Sequence, residues 1–147
     1  MINNVKGTTD FMPKEEASKQ KVFDNLKTVA QKFGFRQICT PIIESFELLA
    51  QKQGDEIRKQ IFTLEKKGKE ELAMRAEFTP SFARLFISNQ KELAKPIKWF
   101  SIDRVWRYEK PQAGREREFY QFNVELYGSG EAIADAEIIS LAIESLK

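Results

Sequence analysis

Histidine is absent from this 147-residue chain, and cysteine occurs once. The first absence removes the commonest proton-transfer side chain near neutral pH and the commonest zinc ligand, so acid-base chemistry on imidazole and a structural zinc site are not expected; no metal-ligating residues are assigned. Cys39 has no partner for an internal disulfide, which fits a reducing, cytoplasmic setting; within the apolar residues 35–43 it reads as a small core residue. Long hydrophobic runs are missing as well. No stretch approaches the roughly 18 apolar residues of a membrane span, and the opening MINNVKGTTD lacks the hydrophobic segment of a secretory leader, so neither membrane insertion nor secretion is expected. Charge of one sign is also scarce: 24 Lys and Arg against 22 Asp and Glu leave a net +2, too little for general affinity to polyanions. A nucleic-acid contact would need a local cluster, and the turn near residues 109–117 is the candidate. A glycine-rich nucleotide loop and βαβ alternation are both lacking. With no repeat, linker or composition shift, residues 1–147 read as one domain burying about two thirds of its unfolded surface in a single core.

What is present begins with a helix. Pro13 followed by Glu15 and Glu16 suits a first turn, and Val22, Phe23, Leu26, Val29, Ala30 and Phe33 recur at helical spacing until Gly34. Residues 35–43 favour a strand, but Pro41 cannot donate to a ladder, so the strand lies at an edge or stops there. Residues 45–52 suit a short helix. Residues 61–64 and 71–75 flank the polar turn EKKGKE as a hairpin. Thr79 and Pro80 suit the N-cap and first position of a helix whose Phe82, Leu85 and Phe86 face inward. A last helix over 131–147 has a broad apolar side of Ile133, Ile138, Ile139, Ala142, Ile143 and Leu146, and the chain stops on it as if cut.

The richest stretch is 100–128, FSIDRVWRYEKPQAGREREFYQFNVELYG, read as two strands over 97–108 and 117–127 joined by a loop holding Pro111 and Gly114. Alternation puts Tyr120, Phe122, Val124 and Leu126 on the core face. The opposite face carries Arg117, Phe119, Gln121, Asn123, Glu125 and Tyr127, which suits either a ligand or a solvated surface.

The spacing Arg107, Glu109, Pro111, Gln112, Gly114, Arg115, Arg117, Phe119, Gln121, Glu125 resembles the second class II motif of histidyl-tRNA synthetases. Residues 5–10 (VKGTTD) with Pro13, residues 36–44 with Pro41, and residues 74–80 (MRAEFTP) are similar to further segments of that family, in the same order. The resemblance implies an α+β fold, a largely antiparallel sheet with flanking helices, forming the N-terminal part of a class II catalytic domain. Nothing in the chain resembles the family's third motif, its later histidine-binding segment or its anticodon-binding domain. The implied activity is ligation of histidine to tRNA: ATP with Mg2+ activates histidine to the adenylate, which is passed to the acceptor end of tRNA(His).

The resemblance also implies roles. Arg107 would be the catalytic group, holding the α-phosphate and the histidine carboxylate; its planar fork pairs two oxygens at once, as lysine cannot. ATP would be held by Arg107, Glu109, Arg115, Arg117 and Phe119, with Phe119 stacked on adenine. Arg115, Arg117 and Lys110 could reach the triphosphate or the tRNA, although Glu109, Glu116 and Glu118 interleave with them and leave a solvated hairpin tip open as a reading. Histidine would be held by Glu77, Phe78, Thr79, Arg107, Gln121 and Glu125, with Glu77 and Gln121 on the ammonium and Glu125 on the imidazole. Thr79 also reads as a simple cap. Asp135 and Glu137 match the family pattern and equally suit a helix face. Ala76, Phe78, Tyr120 and Asn123 depart from the residues common in the family. Residues 13–44 resemble the first motif, which implies a homodimer. Two alternatives are a non-catalytic paralogue like the regulatory subunit of ATP phosphoribosyltransferase, against which the intact loop PQAGRER argues, and one half of a split synthetase.

Overall fold

The computed structural model describes residues 2–51 and 54–147. They form two interleaved compact units, one made of the residues up to Asp10 with Thr40–Phe86 and Asp103–Gln121, the other of Phe11–Cys39, Ile87–Ile102 and Phe122–Lys147. Each unit has its own apolar cluster, so two cores replace the single one suggested by chain length.

In the second unit α1 spans Pro13–Lys32. Its start is closed by Glu15, whose carboxylate accepts the Met12 N–H at 2.9 Å, while Pro13 has no amide to leave unpaired. Its end is a Schellman turn. Gly34 takes φ +80°, its N–H reaches the Gln31 carbonyl, and the Phe35 N–H reaches the Ala30 carbonyl, both at 3.0 Å. That reversal drives Phe35 into a cluster with Ala30, Phe100 and Leu141. Val22, expected on the packed stripe, is 56% exposed, because the apolar contact comes from Val29, Ala30 and Phe33 at the helix's last turns.

Strand β1 (Arg36–Gln37) pairs in parallel with β4 (Ile97–Trp106), which is flanked by β5 (Glu118–Tyr127). The sheet is therefore mixed, and β1 is an edge that ends well short of Pro41. Cys39 lies beyond this short strand and is exposed, correcting its expected place in the core. Phe122, Val124 and Leu126 pack on the cluster as alternation required. The last helix, α4 (Ala132–Ser145), contributes Ile138 and Leu141; Ile133, Ile139, Ile143 and Leu146 of its expected apolar side are exposed. Glu137 pairs with Lys98.

In the first unit β2 (Ile43–Ser45) runs antiparallel to β3 (Leu72–Met74). Between them α2 (Phe46–Ala50) is capped by Ser45, whose hydroxyl accepts the Leu48 N–H at 3.3 Å, and a 3-10 turn covers Gly54–Lys59. Lys52, the expected end of the short helix, lies outside the described residues. The expected hairpin over 61–75 persists as a Thr63–Ala73 bridge, with β2 as the fuller partner of β3. Helix α3 (Thr79–Asn89) opens with the Phe82 N–H bonded to the Phe78 carbonyl, so Phe78 takes the cap position and Thr79 the first turn. Phe46, Leu49, Ile57, Ile61, Ala73 and Ala76 make the core.

Across this unit runs one buried cation. Arg75 is fully buried, yet its guanidinium donates to Asp103 at 2.6 Å, to the Arg104 carbonyl at 3.0 and 3.1 Å, and to the Thr40 carbonyl at 2.8 Å. Phe78 covers it, with the ring centroid 4.5 Å from the guanidinium carbon. The main chain of Arg75 also takes part, receiving the Trp106 N–H and donating to the Ile42 carbonyl. Replacing Arg75 with Leu strands the Thr40 and Arg104 carbonyls at about 1–3 kcal/mol each. The expected outcome is a loss of several kcal/mol in urea unfolding, with Arg75→Lys intermediate; an unchanged midpoint for both would contradict this role.

Candidate active site

Arg107 sits at the first position past β4, where the last ladder bond, from its N–H to the Arg117 carbonyl at 2.9 Å, fixes its backbone. Its Nε donates to the Ala76 carbonyl at 3.2 Å. One edge of the fork is thereby used for placement, and among the described residues neither terminal nitrogen has a hydrogen-bond partner, which suits a bidentate contact. The Phe119 ring centroid lies 5.2 Å from the same guanidinium.

Two hollows meet at Arg107. Arg107, Glu109, Gly114, Arg115, Glu116 and Phe119 line a cleft of about 420 Å³, within the range of small-molecule sites. A smaller cavity of about 150 Å³ is lined by Ile57, Gln60, Ile61, Ala76 and Glu77 together with Arg107 and Glu109. Thus Arg107, Glu109, Arg115 and Phe119, assigned to ATP from the sequence, face one cleft, and Glu77, assigned to histidine, adjoins it. The Arg115 side chain is 66% exposed and only 3.8 Å from Glu109, a pair too open to hold it there strongly.

The other candidates lie outside the lining of this cleft. Arg117 does not line the cleft: its Nε donates to the Glu109 carbonyl at 3.1 Å and its guanidinium stacks 4.4 Å from the Tyr108 ring centroid. The Phe78 side chain is fully buried between Arg75 and Phe82. Thr79 is exposed in the first turn of α3, and Lys110 is exposed outside the cleft lining. Gln121 is half-buried on β5. Among the described residues no cluster of three or more His, Cys, Asp or Glu side chains could hold a metal.

In the second unit, Glu125 is half-buried on β5 and accepts the Asn123 amide at 2.9 Å and the Tyr127 hydroxyl. Both donors lie two residues away on the strand face where alternation placed all three residues. Tyr127 also meets Trp99 edge-on at 6.1 Å. Burial, then the bond to the Glu125 carboxylate, pushes the Tyr127 phenol well above its usual range. Asn123, read from the sequence as a member of this strand face that departs from the family's common residue, braces the carboxylate.

A mixed sheet flanked by helices, with an arginine fork facing a phenylalanine ring beside a cleft, matches the core of class II aminoacyl-tRNA synthetases. The comparisons narrow the class. Residues 7–147 match the family model described as histidyl-tRNA synthetase. The chain is 48% identical over 146 residues to the histidine–tRNA ligase of Haloarcula marismortui, covering 99% of this chain and 34% of that protein. It is 47% identical over 147 residues to that of Methanococcus maripaludis, covering all of this chain and 35% of the relative. Among solved structures, a Bacillus halodurans protein described as an ATP phosphoribosyltransferase regulatory subunit/histidyl-tRNA synthetase superposes with a TM-score of 0.85 at 30% identity, covering 99% of this chain and 37% of that one. The apo histidyl-tRNA synthetase of S. aureus gives 0.82 at 26% identity, covering 99% and 34%. The chain belongs to the histidyl-tRNA synthetase family. It spans about a third of the length of the curated relatives it matches. No described helix is long and apolar enough to cross a membrane.

The Tyr127 phenol supplies a pH test. A neutral acid whose folded pKa is raised above the unfolded value of about 10 favours folding fully below that pH, and the advantage fades as alkali ionises the unfolded chain. In a spectrophotometric titration one of the three tyrosines should remain protonated past about pH 11 while the chain stays folded, and Tyr127→Phe should remove that late step. Complete ionisation of the folded chain by that pH would contradict the burial.

Proposed function

We propose that this chain is the ATP- and histidine-binding part of a histidine–tRNA ligase that forms histidyl-adenylate and passes it to tRNA(His). The observation that carries the reading is the cleft itself, which Arg107 lines together with Phe119 and Arg115, its two terminal nitrogens bonded to none of the described residues. In adenylation a histidine carboxylate oxygen attacks the α-phosphorus, a new P–O bond forms, and pyrophosphate leaves with the electrons of the broken bond. The protein's task is alignment and charge stabilisation, which suits an arginine fork in a sheltered cleft. Arg107 bridges the carboxylate and the α-phosphate, Phe119 stacks on adenine, and Arg115 reaches the outer phosphates. Mg2+ comes with ATP and keeps several waters, so one carboxylate such as Glu109 suffices and no protein cage is needed. Glu77 and Gln121 take the ammonium, and Glu125, braced by Asn123 and Tyr127, takes the imidazole.

The tRNA acceptor end is the second substrate. Two copies pair through residues 13–44, a reading supported by the exposed apolar Val22, Ile42 and Ile43 in that stretch. A cytoplasmic location fits proteins that use ATP and tRNA. The regulatory-subunit alternative is not favoured, because the cleft keeps Arg107, Arg115 and Phe119.

In a protein of the relatives' full length, Arg107→Lys should lower histidine-dependent pyrophosphate exchange roughly 100- to 1000-fold, the scale of one lost charge-stabilising donor, without a matching fall in melting temperature. Unchanged exchange would return Arg107 to a structural role. Glu125→Ala should weaken histidine binding roughly 10- to 150-fold, from about 1.5–3 kcal/mol for a charge-assisted hydrogen bond, with MgATP binding little altered. Loss of ATP with normal histidine binding would show that Glu125 serves the other ligand.

A further inference from the structure

The family motif counts Arg117 among the nucleotide's contacts, yet its surroundings describe a different task. Its Nε donates to the Glu109 carbonyl, its guanidinium carbon lies 4.4 Å from the Tyr108 ring centroid, and its own carbonyl receives the Arg107 N–H. Those contacts join both ends of the loop 108–117, the segment that carries Arg115 and Glu116 into the cleft. No donor of Arg117 is needed at a phosphate for this arrangement to hold.

A second element grips the same residue from outside the hairpin. The Gly7 carbonyl receives two amides, the Arg117 N–H at 2.8 Å and the Glu118 N–H at 3.0 Å. It is presented by a turn in which the Val5 carbonyl accepts both the Thr8 N–H at 3.0 Å and the Thr8 hydroxyl at 2.8 Å. Gly7 has φ +82°, a conformation that L side chains rarely adopt. A Cβ there would also meet the Arg117 Cγ at 2.9 Å and the Arg117 amide nitrogen at 3.0 Å. The fit between the turn and Arg117 is thus closed on two independent counts, backbone conformation and space.

We propose that Gly7 and Arg117 are positioning residues, a latch and a clasp that hold the loop 108–117 in the shape that presents Arg115 and Glu116 to the nucleotide. This role rests on the adenylation reading for its ligand, but the clasp itself is a property of the loop and can be measured without one. Arginine is required because the contact needs a directed Nε–H and, on the same side chain, a separate planar cation over a ring, and lysine's single compact ammonium cannot supply both at once. Glycine is required at position 7 because any side chain pushes the turn away from Arg117 and takes the shared acceptor with it.

The test uses the 147-residue chain with Gly7→Ala, Arg117→Met and Arg117→Lys, each checked for folding by circular dichroism, with amide hydrogen exchange across residues 109–118 and MgATP affinity as readouts. Gly7→Ala and Arg117→Met should each speed exchange of the loop amides roughly tenfold while amides of α1 and α4 keep their protection. MgATP should bind roughly three- to tenfold more weakly in both, and Arg117→Lys should behave like Arg117→Met. If Gly7→Ala does not fold, the two Arg117 variants decide alone. Unchanged loop exchange in the folded variants would overturn the clasp, as would an Arg117→Lys chain that keeps full MgATP affinity while Arg117→Met loses it, since charge alone would then suffice. Should the unaltered chain bind no MgATP, the adenylation reading fails, and the exchange comparison still decides the clasp.

Discussion

A fully buried guanidinium organises the first unit. Burying a cation is costly unless every donor finds an acceptor, and Arg75 meets that condition by drawing in the Thr40 carbonyl, the Arg104 carbonyl and the Asp103 carboxylate at once. Since Asp103 is 40% exposed on its side chain, the pair is not two charges sealed together but one buried cation with one foot in solvent. The backbone acceptors do much of the work. They belong to chain segments far apart in sequence, so satisfying one side chain brings residues 40–41, β3 and the second half of β4 together.

The placement of Arg107 depends on that assembly. The residue after Arg75 is Ala76, whose carbonyl orients the Arg107 fork, and the residue after that is Glu77, which borders the neighbouring cavity. The Trp106 N–H meets the Arg75 carbonyl at 3.0 Å, so the two segments are stitched one residue before Arg107 leaves the strand. A single buried cation thus holds in register a backbone acceptor, a carboxylate and the start of the hairpin loop. Preorganisation of this kind matters because an arginine that must reorient to meet a phosphate spends binding energy on order.

Legibility in the sequence followed how local each feature is. Strands β4 and β5, the loop between them and the start of α1 were readable because alternation, Pro13 and Gly114 act within a few residues of themselves. The core face of Phe122, Val124 and Leu126 was readable for the same reason. Val22 misled because helical spacing identifies a stripe but not which turns of it meet another element. Cys39 misled because an apolar neighbourhood in sequence became an exposed stretch once β1 stopped after two residues. The burial of the Phe78 ring against Arg75 was not legible, because the two residues meet only once the chain has folded.

What the sequence alone determined is the inventory: the spaced motif from Arg107 to Glu125, the lack of histidine, the near balance of charge, and the periodicities that make helices and strands. These are properties of short windows, where side-chain direction follows from backbone geometry. What only the tertiary structure decided is the division of labour within that motif. Arg107, Arg115 and Arg117 are the same residue type within one eleven-residue stretch, and nothing in their spacing says which two line a cleft and which is drawn to the Glu109 carbonyl and the Tyr108 ring. That choice is made by acceptors brought in from elsewhere, the Ala76 carbonyl for Arg107 and the Gly7 carbonyl at the amide of Arg117, because a hydrogen bond depends on where atoms meet in space and not on their distance along the chain.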